Sequence, residues 1–140
     1  MKYLLDTNTC IRYLNGRVPA ILQRLATIPK DDVVVCSPVK GELFYGSARS
    51  RDPLRSLQAQ QAFLGPFISL PFDDHAAHVY GRIRANLAER GTQIGSNDLL
   101  IAAIALTHNL TLVTHTLVTH NVGEFSRVTG LALEDWETAL

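Results

Sequence analysis

An α/β fold with a central parallel sheet of about four to five strands, flanked by helices on both faces, is predicted by three features of this sequence. Short apolar runs alternate with segments of helical period along the whole chain. One run, Val33-Val34-Val35-Cys36, is continuously apolar and rich in β-branched residues, as suits a strand covered on both faces. Four acids, Asp6, Glu42, Asp98 and Glu124, stand just after apolar runs or near helix starts. That is where a parallel α/β fold opens its crevice, at the carboxyl ends of the strands.

Tyr3-Leu4-Leu5 is the first strand, closed by Asp6. Thr7 or Asn8 is placed to cap a helix with Ile11 and Leu14 on its apolar face, and Gly16 ends it. Pro19 starts a second helix carrying Ile21, Leu22, Leu25 and Ile28. After the Val33–Cys36 strand, Ser37 as N-cap and Pro38 at the first helical position open the helix that carries Glu42. Asp52-Pro53 opens another, with Leu54, Leu57 and Leu64, stopped near Gly65-Pro66. Residues 67–72 form the next predicted strand. Val79, Ile83 and Leu87 mark an amphipathic helix halted by Gly91. Ser96 caps a helix from Asn97 to about His108 that is apolar nearly all round, hence central and buried. A last strand follows.

That strand contains an oddity. Thr111-Leu-Val-Thr-His115 is repeated at once as Thr116-Leu-Val-Thr-His120. Five is odd, so a continuous strand through both copies would exchange its two faces between them. One copy is expected to pair in the sheet, with the excess five residues bulging out or extending the preceding helix.

The 140 residues fit one domain, residues 1–140, large enough to bury about two-thirds of the surface of the unfolded chain. A hydrophobic content of 46% is that of a globular protein. No apolar stretch approaches the roughly 20 residues that cross a bilayer. The chain opens directly on a strand, so no signal peptide is expected and the location is cytoplasmic. Cys10 and Cys36 lack metal-ligand spacing and are expected to be reduced core thiols. A formal net charge of zero counts mildly against a nucleic-acid partner. The objection is not decisive, because a divalent cation held by carboxylates supplies positive charge at a phosphate.

The acids suit such a cation. Magnesium takes oxygen ligands in octahedral geometry and needs only a few carboxylates, its other positions holding water and phosphate. Asp6 and Asp98 are the expected metal ligands, with Glu42 and Glu124 completing the catalytic set. Thr7, Asn8, Ser96 and Asn97 are candidates to orient those carboxylates. The chemistry is hydrolysis of a phosphodiester without a nucleophilic side chain. Taken singly, Asp6 reads as a helix cap, Asp98 as a partner of its helix dipole, and Glu42 and Glu124 as surface acids. Jointly they read as a site.

With those segments on the page, the chain resembles the PIN-domain ribonucleases, in particular the VapC-type toxins of bacterial toxin–antitoxin pairs. "LLDTN", "ELFYG", "IGSNDLLIAA", "THNVGEFSRV" and the closing "EDW" are similar to that family's segments in order and spacing. The resemblance implies a Mg²⁺-dependent endoribonuclease, with Mn²⁺ able to substitute, that blocks translation by cutting structured RNA such as transfer RNA. It also implies a homodimer held in check by a VapB-type antitoxin, reaching operator DNA only through that antitoxin, with no membrane partner. Asp6, Glu42 and Asp98 match the family's metal-ligand positions. Many relatives carry an aspartate where this chain has Asn121, whereas a subset with an "NxxEF" ending offers the glutamate that is Glu124 here. Glu124 is taken as the fourth acid and Asn121 as a polar neighbour. The doubled "TLVTH" departs from the family's single copy. It keeps alive a second reading, a catalytically impaired PIN domain acting by RNA or antitoxin binding alone. Flap-directed DNA cleavage is a third, for which the chain lacks extra helical elements.

Other residues are left without a role. His75 and His78, three apart on a helix, have no third partner. His115 and His120 come with the repeat. Arg12, Lys40, Arg49, Arg51, Arg82 and Arg84 are candidates for RNA phosphate contacts or plain surface charge. Phe44 and Tyr45 read as core or interface residues, and Trp136 as the anchor of the tail.

Overall fold

The computed structural model describes residues 1–114 and 120–137, the side chains of residues 120–122 excepted. Five parallel strands, β1 (Tyr3–Leu5), β2 (Val33–Cys36), β3 (Ile68–Leu70), β4 (Thr111–Val113) and β5 (Ala132–Glu134), form one sheet in the order β3-β2-β1-β4-β5. Seven helices connect them: α1 (Thr7–Asn15), α2 (Pro19–Thr27), α3 (Ser37–Ala48), α4 (Pro53–Leu64), α5 (Asp74–Glu89), α6 (Ser96–Thr107) and α7 (His120–Ser126). The α/β class predicted from the sequence is the one observed. Among the described residues no helix is long and apolar enough to cross a membrane.

Burial explains the order. Every residue of β1 and β2 is buried, and Leu112 and Val113 of β4 are buried as well, so the most continuously apolar strands occupy the centre. β3 exposes Ile68 and Ser69, and β5 is only half-buried, as befits edges. β5 is the strand that sequence patterning missed, because its three residues carry no alternation to detect. Helix α6 buries Leu99 and the run Ile101–Ala105, and is the central helix its composition predicted.

Several caps fall one residue earlier than expected. Asp6, not Thr7 or Asn8, caps α1; Gly95, not Ser96, precedes α6; and Cys36, not Ser37, precedes α3, with Pro38 in its first turn. On α1 the buried residues are Thr9 and Cys10, whereas Ile11 is exposed. Leu54 on α4 is likewise exposed. Gly16, with φ +65°, ends α1 in the left-handed conformation that favours glycine.

The first copy of the repeat pairs in the sheet: Thr111, Leu112 and Val113 lie beside Tyr3, Leu4 and Leu5. His115 and the second copy up to residue 119 lie outside the described residues, and α7 resumes at His120. Cys10 and Cys36 are free and buried, and His75 and His78 are exposed.

The chain builds the sheet outward from β1 through β2 to β3, then returns to the other side of β1 with β4 and β5. The reversal between β1 and β4 is a topological switch point, which leaves a crevice beyond their carboxyl ends.

Candidate active site

The residues that follow β1 and β4 meet at that crevice because the strands are in register. Leu5 pairs with Val113, which sets Asp6 beside Thr114. Asp6 ends its strand, donates its backbone N–H to the Val113 carbonyl at 3.0 Å, and caps α1 by accepting from Thr9 N at 2.8 Å. The Thr9 hydroxyl donates to the same Val113 carbonyl at 3.2 Å. The start of α1 is thereby stitched to the end of β4, and the Asp6 carboxyl is held in place although only 4% exposed.

Burial raises the Asp6 pKa, and hydrogen bonds from the Thr114 hydroxyl and from Thr9 oppose that rise, while the charge of Glu42 adds to it. Glu42 reaches the crevice from the second turn of α3 and accepts from the Thr7 hydroxyl at 2.8 Å. Asp98 enters from the first turn of α6. Its pKa is pushed up to about 8, first by burial, then by a side-chain hydrogen bond with Glu124, then by the charges of Glu124, Glu42 and Asp6. Two carboxyl groups share a hydrogen bond only if one keeps a proton, and here Asp98 keeps it. Glu124 arrives on α7 and lies over the start of α6: its Oε2 is 3.7 Å from where a Cβ on Gly95 would stand.

A cavity of about 370 Å³ results. Asp6, Thr7, Asn8, Glu42, Ser96, Asn97 and Asp98 line it, joined by Gly95, Ile101, Thr114 and Phe125. The structure therefore brings together the predicted acids and their predicted polar neighbours, apart from Asn121, whose side chain lies outside the described residues. Thr7 does orient Glu42. Asn8, Ser96 and Asn97 line the wall. Thr114 and Thr9 were missed by sequence reasoning: Thr114 meets Asp6 only through the pairing of β1 with β4, whereas Thr9 meets it within the N-cap of α1 once Asp6 is the cap. The signal available was positional: Thr114 follows the last strand's apolar run just as Asp6 follows the first.

Among the described residues no lysine or arginine lines the cavity. Of the arginines proposed for phosphate contact, Arg12 is instead paired with Glu137 at 2.8 Å. Arg49 and Arg84 donate to the hydroxyls of Tyr45 and Tyr80 on their own helices. Neither thiol is a nucleophile. Burial, aided by the charge of Glu42 and opposed by a backbone hydrogen bond from Val39, pushes Cys36 up to about 12, and burial with the charges of Asp6 and Cys36 raises Cys10 well above the ordinary thiol value.

The sequence matches the PIN domain family over residues 3–122. It is 34% identical over 138 residues to ribonuclease VapC2 of Rickettsia felis, covering 98% of this chain and 99% of that one. It is 35% identical over 136 residues to the tRNA(fMet)-specific endonuclease VapC of Salmonella typhimurium, covering 97% and 98%. Among solved structures, DNA-bound VapBC from Salmonella typhimurium superposes with a TM-score of 0.88 at 35% identity, over 97% of this chain and 98% of that one. Likeness of sequence and of fold runs from end to end, through every strand that shapes the acidic crevice, and the chain belongs to the PIN-domain family, among the VapC ribonucleases.

Proposed function

We propose that this protein is the toxin of a toxin–antitoxin pair, a Mg²⁺-dependent endoribonuclease that hydrolyses phosphodiester bonds in structured RNA, transfer RNA foremost. The observation that carries the reading is a crevice at the switch point lined by Asp6, Glu42 and Asp98, with Glu124 hydrogen-bonded to Asp98 and no Lys or Arg among the described lining residues. The names of the relatives from Rickettsia felis and Salmonella typhimurium support ribonuclease activity and, for the latter, a tRNA substrate.

The donor set fits magnesium. Every polar side chain that lines the cavity offers oxygen, the amide carbonyls of Asn8 and Asn97 included, which suits a hard cation better than zinc. Among the described residues no three His, Cys, Asp or Glu side chains are grouped closely enough to hold an ion between them. Magnesium, which keeps most of its waters and takes one or two carboxylates, does not require three. Asp6 and Asp98 would hold it, and its contribution when bound is to lower the pKa of a water and to offset charge on the leaving oxygen.

The chain's own residues do the rest. Thr9 and Thr114 hold the Asp6 carboxylate at the strand end, and Thr7 holds Glu42 through one carboxylate oxygen. Asp98 is hydrogen-bonded to Glu124, and the proton that Asp98 holds in that contact would leave when Asp98 takes the metal. Ile101 and Phe125 supply the apolar floor that keeps bulk water away from the acids.

A VapB-type antitoxin as inhibitor, a homodimeric toxin and operator binding through the antitoxin complete the proposal, supported by the DNA-bound VapBC complexes of the relatives. An antitoxin arginine placed among the four acids would supply the cation they lack.

The test is incubation of antitoxin-free wild type and Asp98→Asn with total RNA, in Mg²⁺, in Mn²⁺ and in EDTA. Discrete metal-dependent fragments from wild type alone are expected. Folded wild type that leaves RNA intact in both metals would sink the nuclease reading and favour a binding-only domain, for which the duplicated segment beside α7 is the specific cause to delete next.

A further inference from the structure

Glu124 is held differently from the other acids. Asp6 follows a central strand, Glu42 sits on the helix that follows β2, and Asp98 sits on the buried helix α6. Glu124 rides on α7, a seven-residue helix that buries Phe125 and is followed by buried Val128. Apolar anchoring of that kind holds a helix against the core but is not directional. A carboxyl that must meet Asp98 within hydrogen-bond distance needs directional contacts as well.

Those contacts come from two arginines. Arg127, immediately beyond α7, donates its backbone N–H to Glu124 O at 3.1 Å and its Nη1 to the Gln93 carbonyl at 3.1 Å. The Arg127 carbonyl in turn accepts from the guanidinium of Arg90, the residue that ends α5. Arg127 folds back along α7, its Nη2 lying 3.8 Å from where a Cβ on Gly123 would stand. Gln93 is two residues before Gly95, the residue over which the Glu124 carboxyl lies. One end of α7 is thus tied by two charge-assisted bonds to the connection that leads into Asp98.

We infer that Arg127, seconded by Arg90, is a positioning residue that locks α7 onto the 90–95 connection and so sets Glu124 against Asp98, rather than a contact to RNA phosphate. The inference rests on the proposed metal-dependent site. Without the clamp, α7 keeps its apolar anchor but its rotation is free by a turn fraction sufficient to carry the Glu124 carboxyl away from Asp98. Removing an outer group that orients a metal-site carboxylate weakens metal binding by about tenfold or more.

The experiment measures Mn²⁺ binding to the full-length protein by calorimetry, without RNA, alongside cleavage kinetics, in Arg127→Ala, Arg127→Lys, Arg90→Ala, Glu124→Gln and the Arg127→Ala/Glu124→Gln double variant. Arg127→Ala is expected to weaken Mn²⁺ binding about tenfold and to lower kcat with little change in KM. Arg127→Lys regains part of the loss, and Arg127→Ala adds nothing once Glu124 is Gln, because it acts through that carboxyl. Equal effects of Arg127→Ala in both backgrounds would overturn the inference. So would unchanged Mn²⁺ binding with a raised KM and a shallower salt dependence, the signature of a phosphate contact. If Arg127→Ala melts at assay temperature, Arg90→Ala and Arg127→Lys carry the same comparison. Wild type that binds no Mn²⁺ would overturn the metal site itself, an outcome separate from a wild type that binds and cuts while Arg127→Ala matches it.

Discussion

Acids at the crevice and acids at the C-terminal strand are the same residue types put to opposite uses. Glu134, at the end of β5, accepts from Arg24 at 2.5 Å and from the Trp136 indole N–H at 2.9 Å, and Glu137 is paired with Arg12. Arg24 lies over the Trp136 ring, which meets Tyr3 edge-on at 5.2 Å and is 2% exposed. Each of these acids is answered by a cation of the chain itself. At the crevice Asp6, Glu42, Asp98 and Glu124 have no Lys or Arg partner among the described residues, and burial, the hydrogen bond with Glu124 and then the charges of its neighbours push Asp98 up to about 8. The difference teaches which acids hold the fold: those after β5 are neutralised on folding, whereas those at the crevice stay a cost to the folded state.

Breaking the answered cluster has the largest effect on stability. Trp136→Ala removes a buried ring that closes β5 against β1, and is expected to cost about 3–5 kcal/mol, seen as a lower urea midpoint. Residual folded protein should retain its metal dependence. A loss of metal dependence in parallel would show that the two clusters are not separate.

Removing one unanswered acid should do the reverse. Asp98→Asn replaces a buried carboxyl, costly to ionise, with a neutral amide and is expected to raise the stability of the metal-free protein near pH 8, by about 1 kcal/mol, while cleavage is lost. The gain depends on pH in a definite sense. The folded-state pKa of Asp98 lies above its ordinary value near 3.8, so between about pH 4 and 8 the folded protein keeps a proton that the unfolded chain has shed. Stability from this group is therefore full below pH 4 and falls as pH rises through 8. Buried Asp6, raised in the same direction, adds to the trend. Thermal melts in EDTA from pH 5 to 8.5 should fall more steeply for wild type than for Asp98→Asn, and Mg²⁺ should restore most at the alkaline end. Parallel slopes would remove the charge argument.

Arg24→Ala should matter least. The pair is part-exposed, so its loss is expected to cost under about 1 kcal/mol and to shrink further in high salt. A salt-independent loss would place the weight on the stacking of Arg24 against Trp136 instead of on the ion pair.

Local chemistry was legible wherever one segment decides its own conformation. The apolar runs Tyr3–Leu5 and Val33–Cys36 are strands, Gly16 and Asp52-Pro53 punctuate helices where expected, and α6 is central because no face of it is polar. The reading faltered where two segments share a decision. Ile11 is exposed and Thr9 buried because α1 turns the face that Val113 can hydrogen-bond toward the sheet, and no helical period contains that information. β5 is a strand because β4 offers it an edge. The repeat left open which copy pairs, and the first copy does, directly after α6 and beside β1.

By itself, then, the sequence determined the α/β alternation and the identity of the four acids, since spacing, β-branching and turn residues act within a few positions of the chain. Only the tertiary structure decided that β1 lies between β2 and β4, that Thr114 therefore supports Asp6, that Asp98 and Glu124 are hydrogen-bonded, and that Arg12 pairs with Glu137 of the tail. Each of these is a contact between residues far apart in the chain, set by which apolar faces bury one another, and burial is a property of the assembled sheet that no local pattern encodes.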